Sequence, residues 1–346
     1  MDEDAPAGVV PGPTPRPDLR PTSRGTSRST SRRPSRLAAH PLPTSAAGLR
    51  RALANGGARA LLVLFWLLQW LPLPVQAALG RGLGRVLHTF GRSRRRVAET
   101  NIALCLPELS EAARAALVRE HFEWLGRSLV ERALLWYAPR ARLERLIHVE
   151  GDIGLAERSE RAVMWLVPHF LAVDVAGAAT QLFQRKRVCN IYTAQSNPVM
   201  DAALKKGRGR FGLADMFPRQ ESARPMVRAI KRGQPFFNPS DMDFGLRDAA
   251  FVPFFGQPAA TLLAPSRLAR TLDMIVQPVV GELLPGGQGW RVRFLEPWTD
   301  WPGGDPEADA ARMNAWIESE IRRNPTQYLW VHKRFKTRPP GAPPLY

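Results

Sequence analysis

His169 and Asp174 stand five positions apart, directly behind Pro168 and the apolar run Ala162-Val163-Met164-Trp165-Leu166-Val167. An imidazole beside a carboxylate makes a general base. The carboxylate accepts from one ring nitrogen and stabilises the imidazolium, while the other nitrogen takes the proton of an alcohol. On one continuous helix five residues sweep about 500°, leaving the two side chains about 140° apart. At a strand-to-helix turn they meet instead: the strand delivers His169 to the carboxyl edge of a sheet, where open α/β sheets bind ligands, and Asp174 in the first helical turn points back at the ring. The bland alternative is a turn histidine followed by an acid that suits a helix N-terminus. No G-x-S-x-G elbow, H-E-x-x-H pair, P-loop or strand-borne G-x-G-x-x-G is present, so the usual signatures of serine hydrolases, zinc proteases and nucleotide binders are missing.

The elements that must position this pair follow from hydrophobic period. Apolar residues at three- to four-residue spacing from Ser110 to Tyr137 predict a core-facing helix capped by Ser110. The unbroken run 162–167 predicts a strand covered on both faces. Further strands are expected at 188–192 and 235–238, with helices near 200–206 and 223–232 between them. A hairpin is expected over 274–295 around Pro285-Gly286-Gly287-Gln288-Gly289, then a helix over 306–323. Strands alternating with helices give an α/β class with a mostly parallel central sheet flanked by helices.

The chain has 346 residues and 45% hydrophobic content, enough for a sizeable core. Its 49 basic residues against 31 acidic ones give a net charge of +18, and all but 6 of the basic residues are Arg. Such a surplus favours anionic partners, although an Arg-rich composition weakens a nucleic-acid reading. Two cysteines, Cys105 and Cys189, exclude a disulfide scaffold and a four-Cys zinc site. Residues 1–48, built from Pro, Ser, Thr and Arg, cannot offset the entropy of ordering and are expected to be a disordered basic extension. Between Arg59 and Arg81 no charge occurs, so 55–81 is expected to be a membrane-associated segment, a membrane helix that Pro72 and Pro74 kink or lay in the interface. Arg92, Arg94, Arg95 and Arg96 follow and suit anionic lipid heads. The body, 90–340, carries the chemistry.

Several blocks, in order, resemble one family. They are Arg94-Arg95-Arg96-Val97-Ala98-Glu99-Thr100-Asn101-Ile102-Ala103-Leu104-Cys105-Leu106-Pro107-Glu108, the His-x4-acid motif of His169 and Asp174, Asn197-Pro198, Gly207-Arg208-Gly209-Arg210, Asp241-Met242-Asp243-Phe244-Gly245, Phe251-Val252-Pro253-Phe254-Phe255-Gly256, and Gln327 to Pro339. Over roughly 55–340 the chain resembles the bacterial lipid A late acyltransferases, the lauroyl and myristoyl transferases of the lysophospholipid acyltransferase superfamily. Many members carry Glu where this chain has Asp174.

The resemblance implies a glycerol-phosphate-acyltransferase-like fold with an N-terminal membrane helix. It also implies a fatty acyl thioester on acyl carrier protein as donor, and a hydroxyl of a Kdo-bearing lipid A precursor as acceptor. It places the protein at the bacterial inner membrane, its site facing the cytoplasm, with no cofactor, no metal and no nucleic-acid partner. His169 is then the general base, oriented by Asp174, and direct attack on the thioester needs no covalent acyl-enzyme. Arg208, ahead of Arg210, is expected to stabilise the oxyanion or hold a phosphate. Asp241 and Asp243, behind a predicted strand, order the site or bind sugar hydroxyls; as a paired-carboxylate metal site two acids without further ligands are weak evidence, and a turn motif is at least as good a reading. Arg334 and Lys336, among the aromatics of 330–338, suit phosphates and sugar acids beside a membrane. Phe251–Gly256 reads as acyl-pocket wall or ordinary core, Cys189 as core, and His121 and Glu131 as structural. A different glycolipid or glycerophospholipid acceptor, and a membrane-tethered non-enzymatic module for anionic ligands, are the competing readings.

Overall fold

Pro72 and Pro74 divide the long apolar stretch in two, because proline cannot continue a helix without losing a backbone hydrogen bond. The computed structural model describes residues 46–346. The expected extension falls outside the described residues as far as position 45, and its last three positions already belong to α1 (Ala46–Leu68). Within α1, Gly48–Leu68 is long and apolar enough to cross a membrane, with a mean hydropathy of 1.3. Leu53, Val63, Leu64, Trp66 and Leu67 are exposed along it.

Within the expected segment 55–81 the chain breaks at these prolines, and the second half opens a separate helix, α2 (Leu73–Phe90), with Pro74 in the first turn. α3 (Arg92–Cys105) and α4 (Glu111–Tyr137) follow, and Ser110 caps α4 by accepting from Ala113 N–H at 3.2 Å. α2 lies directly on α4. A Cβ on Gly84 would come within 2.1 Å of the Phe122 carbonyl oxygen, and one on Gly126 within 2.2 Å of Gly80 O. Backbone is thus packed on backbone, which only glycine permits. The opposite face of α2 exposes Val75, Leu79, Leu83, Val86 and Phe90.

α5 (Arg140–Leu146) leads into the sheet region: β1 (Ile147–Gly151), α6 (Leu155–Arg158), β2 (Val163–Leu166), α7 (Val173–Leu182), β3 (Val188–Tyr192), α8 (Pro198–Arg208), β4 (Ala214–Pro218), α9 (Arg224–Lys231) and β5 (Phe236–Asn238). A hairpin of β6 (Ala249–Phe254) and β7 (Gln257–Leu262) comes next, then α10 (Ala264–Thr271), β8 (Ile275–Leu283), β9 (Trp290–Phe294) and α11 (Pro306–Arg323). The main sheet runs β1-β9-β8-β2-β5-β3-β4. Strands β8, β2, β5, β3 and β4 are mutually parallel, while β9 runs antiparallel to β8 and takes β1 with it.

β2 shows why the sheet reads as an unbroken apolar run. Val163 and Trp165 enter the apolar cluster on one face, with Leu134, Phe237 and Val292; Met164 and Leu166 enter the other, with Phe122, Phe236 and Val276. A central strand covered on both faces has no solvent side to mark with polar residues. Strands β1 and β4 and the β6–β7 hairpin carry no comparable run.

Candidate functional site

The register of two neighbouring parallel strands builds the site. Leu166 of β2 pairs with Asn238 of β5, and both chains leave the carboxyl edge together; Val167 N–H donates to Asn238 O at 3.1 Å. Three residues beyond each strand end stand His169 and Asp241. The Asp241 carboxylate lies 2.5 Å from His169 Nδ1 through one oxygen and accepts the His169 backbone N–H at 2.9 Å through the other. The other strap is the segment after α11: Leu171 N–H donates to Gln327 O at 2.8 Å, and Leu329 N–H to His169 O at 2.9 Å.

Burial alone would raise the Asp241 carboxyl, but the His169 ring and backbone N–H, with Arg334 beyond, hold it down at about 2. An ionised Asp241 on Nδ1 requires that nitrogen to carry the proton, which leaves the Nε2 lone pair as the basic position. Nε2 makes no hydrogen bond within the described residues, and the imidazole keeps 17% exposure where Asp241 keeps 1%.

Asp174 does not meet the imidazole, a correction to the expected pair. In the first turn of α7 it binds two guanidiniums: Arg208 at the end of α8, with Nη2 at 2.7 Å and Nε at 2.9 Å, and Arg132 of α4, with Nη2 at 2.9 Å. Burial opposes ionisation here too, but Arg208 and Arg132, with His169 contributing from farther off, bring the carboxyl down to about 2. The short Asp side chain in that turn reaches towards α4 and α8, while the acid behind the neighbouring strand takes the ring. Arg208 is held through Nε and Nη2, and its Nη1 makes no hydrogen bond among the described residues.

The other expected residues separate. Arg210 is spent on the end of α4, donating to Leu135 O at 3.1 Å and to Ala138 O, so it is a helix clamp rather than a ligand group. Asp243 forms the turn: it accepts from Gly245 N–H at 2.9 Å, Thr337 N–H at 2.6 Å and Thr337 Oγ1 at 2.7 Å. Arg334 is 2% exposed and donates to Ala260 O at 2.8 Å and Thr261 Oγ1 at 2.9 Å, which makes it a buried strut under the β6–β7 hairpin. Lys336 is exposed and its ammonium makes no ion pair among the described residues. Phe254 and Phe255 are core, edge-on to each other at 5.1 Å between ring centroids, with Phe254 also packed on Phe335. Cys189 is core, its thiol pushed up to about 12 by burial. His121 donates from Nδ1 to Thr326 O at 3.0 Å, and Glu131 accepts from Arg127 and Trp290 at 2.7 Å each.

Three residues escaped the sequence reading. Arg132 carries no local signal, sitting in an ordinary helix. Tyr328 is buried beside Asp241. The His332 ring accepts the Asp243 N–H at 3.2 Å, and burial lowers its pKa to about 4, so it is neutral. The Arg-rich block on α3 has a structural explanation: Asn101 donates to the carbonyls of Trp330 and His332 at 2.7 Å each, and Arg94 to Val331 O at 3.2 Å, pinning the segment that straps the His169 turn. Asn197 caps α8 by accepting from Val199 and Met200 N–H, with Pro198 at the first helical position.

Comparison with known proteins converges on one family. The family described as bacterial lipid A biosynthesis acyltransferase matches residues 48–337. The lipid A biosynthesis lauroyltransferase of Escherichia coli K12 is 34% identical over 284 residues, covering 81% of this chain and 92% of its own. The palmitoleoyltransferase of the same strain is also 34% identical over 284 residues, covering 81% and 91%. Its myristoyltransferase is 32% identical over 270 residues, covering 78% and 82%.

Proposed function

The chain belongs to the bacterial lipid A biosynthesis acyltransferases, and we propose that it moves a fatty acyl chain from acyl carrier protein to a hydroxyl of a Kdo-bearing lipid A precursor. The reading is supported above all by the clamp of Asp241 on His169, which leaves one imidazole nitrogen basic and unengaged at the carboxyl edge of the sheet. His169 Nε2 takes the proton of the acceptor hydroxyl as its oxygen attacks the thioester carbonyl. Asp241 keeps the ring in the productive tautomer and balances the imidazolium, as a buried carboxylate does for a histidine base. Arg208, aimed by Asp174 with Arg132 behind, stabilises the tetrahedral oxyanion through its unengaged donor. The imidazolium then protonates the departing thiolate.

Transfer is direct. Cys105 and Cys189 are both buried with thiols raised by burial, so neither supplies a thiolate nucleophile. The site works at the inner membrane from the cytoplasmic side. α1 is long and apolar enough to cross, and the exposed apolar face of α2 suits the adjoining lipid surface. The test is mass spectrometry of lipid A from cells with and without this protein: loss of one secondary acyl chain in its absence is expected, and an unchanged acylation pattern overturns the reading.

A further inference from the structure

Beside the outermost strand of the sheet lies a second concave site that the chemistry at His169 does not use. A cleft of about 610 Å³ runs along β4 between the end of α8 and the face of α9. Lys205, Arg228 and Arg232 line it together with Tyr192, Phe217 and Asp215. Asp215 is the sole acid in the lining, and its carboxylate is taken: it binds the Arg187 guanidinium and accepts from Gln234 Nε2 at 3.1 Å. Lys205 is answered by Asp201 at 3.0 Å and lies 5.1 Å from the centre of the Tyr192 ring. Arg228 and Arg232 form no ion pair among the described residues.

Arg228 in the last turn of α9 and Arg232 at its C-cap stand four residues apart with no ion-pair partner, Arg232 acting only at longer range on the already engaged Asp215, and a concave wall focuses their field. Such a pair is stable beside an anion that both can fork, and phosphate oxygens match that geometry better than a single carboxylate. The lining also holds Phe217, Pro218 and Pro225, so a ligand with an apolar portion next to its phosphate is accommodated. The cleft follows β4 from Ala214 to Pro218: its Tyr192 and Pro218 end lies on the same carboxyl edge as the turns carrying His169 and Asp241, while Asp215 and the nearby Arg232 lie toward the opposite edge.

We infer that this cleft binds a phosphate ester carried by one of the two substrates, with Arg228 and Arg232 as its ligands. The inference rests on the proposed function and deepens it. In that reaction a phosphate is brought by the pantetheine arm of the thioester donor and by the phosphorylated glucosamine lipid that accepts.

The test uses the full chain in detergent and the double substitution Arg228→Ala with Arg232→Ala, with donor and acceptor varied in turn. A rise of about tenfold or more in KM for one substrate, with kcat within about twofold, is expected, since two charge-assisted contacts comfortably exceed the 1.4 kcal/mol that a tenfold change represents. Restoring Lys at both positions should recover part of that loss. A donor effect assigns the cleft to the pantetheine phosphate, and an acceptor effect assigns it to the glucosamine phosphate. Unchanged KM for both substrates overturns the inference. If the chain transfers no acyl group to a lipid A precursor, the proposed function fails separately. The cleft is then judged by titrating 4′-phosphopantetheine and glucosamine 1-phosphate against the unsubstituted and doubly substituted chains. Loss of binding for either probe upholds it, and binding of neither, or equal binding to both chains, overturns it.

Discussion

Asp241 holds His169 at two points, the ring nitrogen Nδ1 at 2.5 Å and the backbone N–H at 2.9 Å, so one carboxylate fixes both the imidazole and the turn that carries it. The double contact separates the roles of the two acids near the histidine. Asp241→Asn keeps the shape but can present its amide N–H to Nδ1, which favours the tautomer with the proton on Nε2. We expect kcat to fall by about a hundredfold or more, the range that general-base catalysis supplies. Steady-state kinetics on a folded variant checks this, and wild-type kcat would remove Asp241 from the mechanism.

In the proposed reaction Asp174 acts through arginine. Asp174→Asn should lower kcat as Arg208→Ala does, and the double variant should be no worse than either single one, because the two residues work as a unit. Full additivity in that cycle would contradict the assignment. Arg210→Ala is expected to behave differently. It loses the bonds to Leu135 O and Ala138 O, costing about 1–2 kcal/mol of stability, with KM and kcat of the remaining folded enzyme near wild type.

The helix contact between α2 and α4 gives a prediction remote from the chemistry. Gly84→Ala puts a methyl where the Phe122 carbonyl stands 2.1 Å away, so the helices must part. Overpacking of this kind costs about 1–3 kcal/mol, and a lowered thermal midpoint is expected. A midpoint equal to wild type would mean that the two backbones are not in contact.

Stability should weaken in acid in two windows. His121 and His332 are both lowered to about 4 by burial, with a smaller opposing pull from their partners. The unfolded chain therefore binds protons at these positions that the folded one does not, from the ordinary histidine value down to about 4. Stability rises with pH across that interval and is lost as pH falls through it. Asp174 and Asp241, held at about 2, contribute stability that is present above the ordinary carboxylate value and lost as pH falls from about 4 towards 2. Urea unfolding followed against pH checks both windows. His332→Gln should flatten the upper one and leave the lower one in place, and an unchanged upper slope would count against a neutral His332.

Much of the fold was legible because its signals are local. The β2 run, the Ser110 cap and the turn after β8 appear where hydrophobic period and turn chemistry put them. The edge strands β1 and β4 were not legible: they lack a buried apolar run, and pairing across the sheet, not sequence, makes them strands. His169, Asp174 and Asp241 each stood out in the sequence as candidates, but which acid meets the imidazole did not. Which carboxylate reaches Nδ1 depends on β2 and β5 lying side by side with Leu166 opposite Asn238, a non-local fact. Arg132 was invisible for the same reason, since α4 approaches α7 only in the folded chain. Arg334 misled because a basic residue among aromatics reads as surface, whereas here it is sealed under a hairpin whose carbonyls consume its donors.

The most direct measurement of the central claim is acyl transfer from acyl carrier protein to a Kdo-bearing lipid A precursor, followed by mass spectrometry, for the unsubstituted chain and for His169→Ala. The account predicts a product heavier by one acyl chain for the former and none above background for the latter, with the variant's folded circular dichroism intact. Product formed at the unsubstituted rate by a folded His169→Ala chain would contradict it.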